Sequence, residues 1–168
     1  MTADGVVIRR ARTADVRSIR TFIDVYADDR ILLSKATVML YEDVQEFWVA
    51  ELDDAVIGCG ALHVMWEDLA EVRTLAVAPA HRHRGIGHLL LDRLITVARE
   101  LGVRKVFCLT FEVDFFIRHG FRIIDGVPVD PAVFAQILKS YDEGVAEFLD
   151  LERVKPNTLG NSRMLLEL

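Results

Sequence analysis

The segment that most restricts the fold is a strand, a basic glycine-bearing turn and a helix in direct succession. Ala70 to Val77 (AEVRTLAV) is rich in β-formers, and Pro79 stops it. His81-Arg82-His83-Arg84-Gly85-Ile86-Gly87-His88 follows, with five of its eight residues basic or imidazole. From His88 to Leu101, the apolar residues Leu90, Leu94, Val97, Ala98 and Leu101 form one helical stripe, and Gly102 is suited to the position just past a helix end. Val103 to Thr110 (VRKVFCLT) reads as a further strand. Strand, helix, strand predicts a parallel pair with a right-handed crossover.

Upstream, Gly5 to Arg10 reads as a short strand. A helix follows, with Thr13 as its cap and Val16, Ile19, Phe22, Ile23 and Tyr26 at helical spacing. Residues 30–43 are ambiguous. Val44–Glu51, Ala55–Met65 and Ala70–Val77 form an antiparallel meander with turns at Asp53-Asp54 and Glu67-Asp68. Gly58 and Gly60 inside the second strand suggest a bulge or a close backbone approach. Downstream come a short helix at Asp114–His119, a strand at Phe121–Ile124, a helix opened by Asp130-Pro131, and a last strand at Ser162–Leu168. The expected fold is α+β: a mixed, mainly antiparallel sheet flanked by helices, with residues 1–168 as one domain.

Composition sets limits on function. The net charge is −6 over 168 residues, which disfavours a general nucleic-acid binder, since phosphate neutralisation needs a Lys/Arg surplus. No apolar stretch reaches the ~18 residues of a membrane span, and Met1–Ser18 lacks the apolar run of a secretory signal. Cys59 and Cys108 lie in apolar runs far apart, as expected of reduced buried thiols in a cytoplasmic protein.

The basic turn carries the chemistry. At a helix start, free backbone N–H groups and the positive end of the helix dipole favour an anion. Gly85 and Gly87 let the backbone wrap a phosphate, and Arg82 and Arg84 add charge-assisted bonds. The pattern is neither a Walker loop, since His88 follows Gly87, nor a dinucleotide fingerprint, since the third glycine is missing. As a metal pair, His81 and His83 lack further ligands nearby in sequence. A solvated basic turn is the alternative.

Leu75-Ala76-Val77-x-Pro79, then Arg82-x-x-Gly85-x-Gly87 and an amphipathic helix, resemble motif A of the GCN5-related N-acetyltransferases. Val106 to Thr110 followed by Phe115 to Phe121 (FFIRHGF) resemble that family's motif B. With Ile57 to Leu62 (IGCGAL) and the closing Asn161 to Leu165, the chain is similar to the acetyltransferase domain of bacterial N-acetylglutamate synthases. Many of those carry a kinase-like domain in front, which is not part of this match.

The resemblance implies acetyl-CoA as co-substrate, no metal, and splayed parallel strands at 70–77 and 103–110. Its pyrophosphate is expected on Arg82, His83, Arg84, Gly85, Ile86, Gly87 and His88, and its pantetheine arm along Leu75, Ala76 and Val77. Glu71 occupies the position of a strand glutamate and is the expected base. Counting alternation along the strand puts Glu71, Arg73, Leu75 and Val77 on one face. Many family members use a tyrosine as general acid where this chain has Phe116, so Thr110 is the substitute hydroxyl. Lys35 and Ser162 match positions that hold the amino-acid substrate. The usual arginine near Ser162 is Gly160 here, which leaves Arg73 or Arg163 to supply the charge. The expected reaction is acetylation of the α-amine of glutamate or glutamine, the entry to arginine biosynthesis, by a cytoplasmic enzyme that forms a homodimer. An acetyltransferase for another small amine or a protein N-terminus, and a silent acyl-CoA-binding module, are the rival readings. Lys35 as a surface lysine, Glu71 as a solvated carboxylate and Thr110 as a plain β-former are the alternatives for single residues.

Overall fold

The computed structural model describes residues 3–28, 36–150 and 160–168. Among the described residues seven strands and six helices follow in the order β1 (Val7–Arg10), α1 (Val16–Asp28), α2 (Thr37–Glu42), β2 (Phe47–Leu52), β3 (Ala55–Trp66), β4 (Leu69–Val77), α3 (Ile86–Glu100), β5 (Lys105–Thr110), α4 (Val113–Ile117), β6 (Arg122–Ile123), α5 (Pro131–Ile137), α6 (Glu143–Phe148) and β7 (Ser162–Glu167). The sheet order is β1-β2-β3-β4-β5-β7-β6, so the mixed α+β architecture expected from the sequence is present. The parallel pair is β4 with β5, in register from Leu69↔Lys105 to Glu71↔Phe107. No described helix is long and apolar enough to cross a membrane.

The contacts cluster into two units, Met1–His63 with Val72–Leu101, and Val64–Glu71 with Gly102–Leu168. In the first, β2 and β3 meet in a two-residue hairpin, Leu52↔Ala55. Asp53 and Asp54 hold φ of 49° and 63°, the left-handed pair that matches strand twist. The ladder shifts between Ala50 and Glu51, a bulge that absorbs Ile57. The expected close approach at the strand glycines is real. A Cβ on Gly58 would stand 3.0 Å from the Ala76 carbonyl oxygen, and one on Gly60 would stand 3.0 Å from Leu75 and 3.1 Å from Leu94 of α3. Helix α3 therefore lies closely against β3, with Ile86 and Leu90 packed on Ala50 and Ile57. Val16, Ile19, Phe22 and Ile23 of α1 pack with Phe47, Val49, Cys59 and Ala76 in a separate cluster.

Thr13 does not cap α1. It begins a short 3-10 turn, Thr13–Asp15, and Asp15 accepts the Arg12 backbone N–H at 2.7 Å. Asp15 also takes the Arg9 guanidinium at 2.8 Å, which holds its carboxyl below the ordinary carboxylate range. That tether is intact above the unfolded carboxylate pKa and is lost only as pH falls through the lower folded value. The strand expected from Val44 begins as another 3-10 turn, Val44–Glu46, where His63 Nδ1 meets Glu46 at 2.8 Å.

In the second unit, β5 pairs with β7 from Lys105↔Glu167 to Thr110↔Ser162. Leu69, Phe107, Phe148 and Leu165 share one core, with Phe107 and Phe148 edge to face at 4.9 Å. Asp130 caps α5 by accepting from Val133 at 3.0 Å, with Pro131 in the first turn as expected. Helix α6 was not anticipated. Asp142 caps it at 3.0 Å, and all six of its residues except Glu143 are buried. Cys59 and Cys108 are buried free thiols, and burial pushes Cys59 up to about 12.

Candidate active site

In the first unit, β4 ends at Val77, a 3-10 turn occupies Pro79–His81, and α3 starts at Ile86, two residues before the sequence expectation. Between them His83 and Gly85 both adopt positive φ, 61° and 79°. Gly85 takes this conformation without strain, and as N-cap it makes no side-chain bond to the helix. No side chain caps the start of α3, so the amides of Ile86 and Gly87 can meet an external acceptor. Ile86 is 1% exposed, so its side chain belongs to the core and it can offer a ligand only its N–H. Gly87 and His88 are partly exposed, and Arg82 and His83 are exposed.

Both loop arginines are held. Arg84 donates to His81 Nδ1 at 2.9 Å, which makes that nitrogen the acceptor, since guanidinium only donates. Arg82 Nε donates to the Tyr26 hydroxyl at 2.9 Å and its guanidinium lies 4.8 Å from that ring's centroid. Tyr26 in turn donates to the Val77 carbonyl at 2.5 Å. By sequence Tyr26 belongs only to the apolar stripe of α1.

The alternation counted along β4 does not hold. Thr74 has φ 53°, a left-handed residue that breaks the pleat, so residues before it and after it cannot be assigned to one face by parity. Beyond the break, Leu75 and Val77 pack on the α3 side and Ala76 on the α1 side. The thiol of Cys59 donates to the Thr74 carbonyl at 3.4 Å, which helps hold the break. Arg73 is buried at 9% exposed.

In the second unit Glu71 pairs in register with Phe107, Thr110 with Ser162, and the charge of Glu71 reaches Arg163. Glu71 is only 4% exposed, so it is not a solvated carboxylate. Its negative charge adds to burial in raising the Cys108 thiol, which keeps that sulfur protonated and unreactive. Thr110 and Ser162 sit directly opposite each other across β5 and β7. The Thr110 Oγ accepts the Glu112 N–H at 2.8 Å, leaving its own hydrogen to donate. Arg163 donates from Nε to the Gly126 carbonyl at 2.9 Å, from one terminal nitrogen to the Glu147 carbonyl at 3.3 Å and from the other to the Phe148 carbonyl. Its guanidinium also lies 5.0 Å from the Phe107 ring centroid. Burial lowers its pKa, and the charges of Asp150, Glu71 and Glu147 oppose that shift. An arginine bound to three carbonyls is a clasp for the end of α6 and the Gly126 loop. Arg163→Ala should cost about 3 kcal/mol in urea unfolding, since charge-assisted bonds are lost and buried carboxylates lose a counter-charge. A loss under 1 kcal/mol would show that the clasp carries little.

Glu147, 8% exposed, lies close enough for its charge to act on Arg163, and nothing in the sequence marks it. Phe116 packs edge to face with Phe121 at 5.1 Å, a core contact with no hydroxyl to offer. Lys35 lies outside the described residues. Among the described residues no group of His, Cys, Asp and Glu could hold a metal ion.

The acetyltransferase (GNAT) family model matches residues 13–121, a span that includes the basic loop and both strands of the parallel pair. The chain belongs to the GNAT acetyltransferase family. An amino-acid acetyltransferase of Mycobacterium tuberculosis is 61% identical over 165 residues, covering 96% of this chain and 94% of that relative. A crystal structure from the same organism, in complex with CoA and a second ligand, superposes with a TM-score of 0.94 at 61% identity, over 96% of this chain and 99% of that one. The N-acetylglutamate synthase of Neisseria gonorrhoeae, complexed with coenzyme A and N-acetyl-glutamate, shares the fold at a TM-score of 0.77 and 24% identity; the match covers 97% of this chain and 35% of that one. As a GNAT enzyme the chain takes its acetyl group from acetyl-CoA, and the uncapped, glycine-bearing start of α3 fits the diphosphate of that co-substrate.

Proposed function

We propose that this acetyltransferase acetylates the α-amine of L-glutamate or L-glutamine, the entry step of arginine biosynthesis. The observation that carries the reading is the near full-length likeness, 61% identity over 96% of the chain, to a protein named an amino-acid acetyltransferase. A cytoplasmic setting and a homodimer belong to the same reading and are drawn from the family resemblance.

Acetyl-CoA supplies an activated thioester. The α3 amides, Gly85, Gly87, Arg82 and Arg84 bind its pyrophosphate, and His83 and His88 flank it. Backbone groups of Leu75, Ala76 and Val77 hold the pantetheine arm, and an N–H there steadies the oxyanion. Glu71 accepts the ammonium proton, directly or through one water, so that the nitrogen lone pair can attack the thioester carbon. The carbon–sulfur bond then breaks, the nitrogen sheds its second proton as the amide forms, and the departing thiolate takes up a proton with the Thr110 hydroxyl as its donor. Lys35, Arg73 and Ser162 hold the carboxylates of the amino acid, because a buried carboxylate needs fixed partners.

Release of the CoA thiol, followed with a panel of amines, tests the substrate. Turnover with glutamate or glutamine, and little with polyamines or peptide N-termini, is the expected result. Turnover confined to a peptide or polyamine would overturn the amino-acid assignment. No turnover with any amine, with CoA still bound, would point to a silent acyl-CoA module.

A further inference from the structure

We propose that Tyr26 is a positioning residue for co-substrate binding: its hydroxyl latches α1 to the end of β4 and presents Arg82 to the anion. The inference rests on the reading of residues 82–88 as the pyrophosphate cradle and adds a residue outside it.

The hydrogen-bond directions are forced. The Val77 carbonyl can only accept, so the Tyr26 hydroxyl donates its single hydrogen there, at 2.5 Å. Guanidinium can only donate, so the same oxygen accepts from Arg82 Nε, at 2.9 Å. The ring is 7% exposed and fixed in the core of α1, while Arg82 is exposed. One anchored hydroxyl thus ties down both sides of the 3-10 turn at Pro79–His81. The ring also stacks under the guanidinium at 4.8 Å. With Nε occupied, the two terminal nitrogens of Arg82 remain as a fork for two oxygens of one phosphate. An exposed arginine would otherwise lose its rotamer freedom only when the ligand binds. Ordering it beforehand is worth roughly three- to tenfold in affinity.

Tyr26→Phe keeps the ring and removes only the hydroxyl. Calorimetry with CoA should show three- to tenfold weaker binding, and the KM for acetyl-CoA should rise in step while the KM for the amine holds. Arg82→Ala should weaken CoA binding at least as much. In the double variant, Tyr26→Phe should add nothing further, because the latch acts through Arg82. Arg82→Lys should resemble Tyr26→Phe, since an ammonium cannot bond the hydroxyl and present a fork together. Wild-type CoA affinity in Tyr26→Phe or in Arg82→Lys would overturn the latch, as would full additivity in the double variant. Wild-type affinity in Arg82→Ala overturns it too, and if Gly87→Glu is equally silent the cradle reading falls with it.

Discussion

Glu71→Gln should lower kcat by roughly 10²- to 10⁴-fold near neutral pH, the usual range for loss of a general base. The residue is 4% exposed, and its charge reaches the Cys108 thiol and the Arg163 guanidinium. Glutamine keeps the shape and removes the proton acceptor. Binding of acetyl-CoA should be unchanged, because the cradle assigned to it lies on residues 82–88. The deficit should shrink as pH rises, since an α-amine with a pKa of about 8 then arrives neutral from solution. A steady-state pH series of wild type and variant reads both effects. A variant with near wild-type kcat, or a constant deficit across pH, would make Glu71 a structural partner of Arg163 instead of a base.

Gly87→Glu should weaken CoA binding by roughly 10²- to 10³-fold, because it sets a carboxylate and a Cβ against a diphosphate a few ångströms away. Gly87 lies in the first turn of α3 in ordinary helical conformation, so the substitution itself is compatible with the backbone. The fold should persist, with thermal unfolding near that of wild type. Calorimetry with CoA separates the two properties. Unchanged affinity would remove the α3 start from the co-substrate site.

The features legible in the sequence were those written in local chemistry. A glycine-bearing run between a strand and an apolar stripe marks a turn that enters a helix, and Asp130-Pro131 marks a helix start, whatever surrounds them. The parallel β4–β5 pair followed from strand, helix, strand. What escaped was set by distant partners or by short elements. Tyr26 sits on an apolar stripe, and its hydroxyl finds Val77 and Arg82, 51 and 56 residues away. The sequence offers Arg163 to a substrate carboxylate, yet carbonyls of the Gly126 loop and α6 take three of its five donors. Thr74 is a β-branched residue in a left-handed conformation, which no local preference foretells, and it invalidates a parity count that works in an unbroken strand. Helix α6, six residues long, is too short to show a period.

The central claim is transfer of an acetyl group from acetyl-CoA to the α-nitrogen of an amino acid. The most direct measurement supplies acetyl-CoA labelled with carbon-13 in the acetyl group, together with glutamate or glutamine, and follows the label by NMR and mass spectrometry. The account predicts that the label leaves the thioester and appears as an amide on the α-nitrogen of one of the two, at a rate that falls in Glu71→Gln. Label that stays on CoA, or passes to another amine while both amino acids remain unmodified, would contradict it.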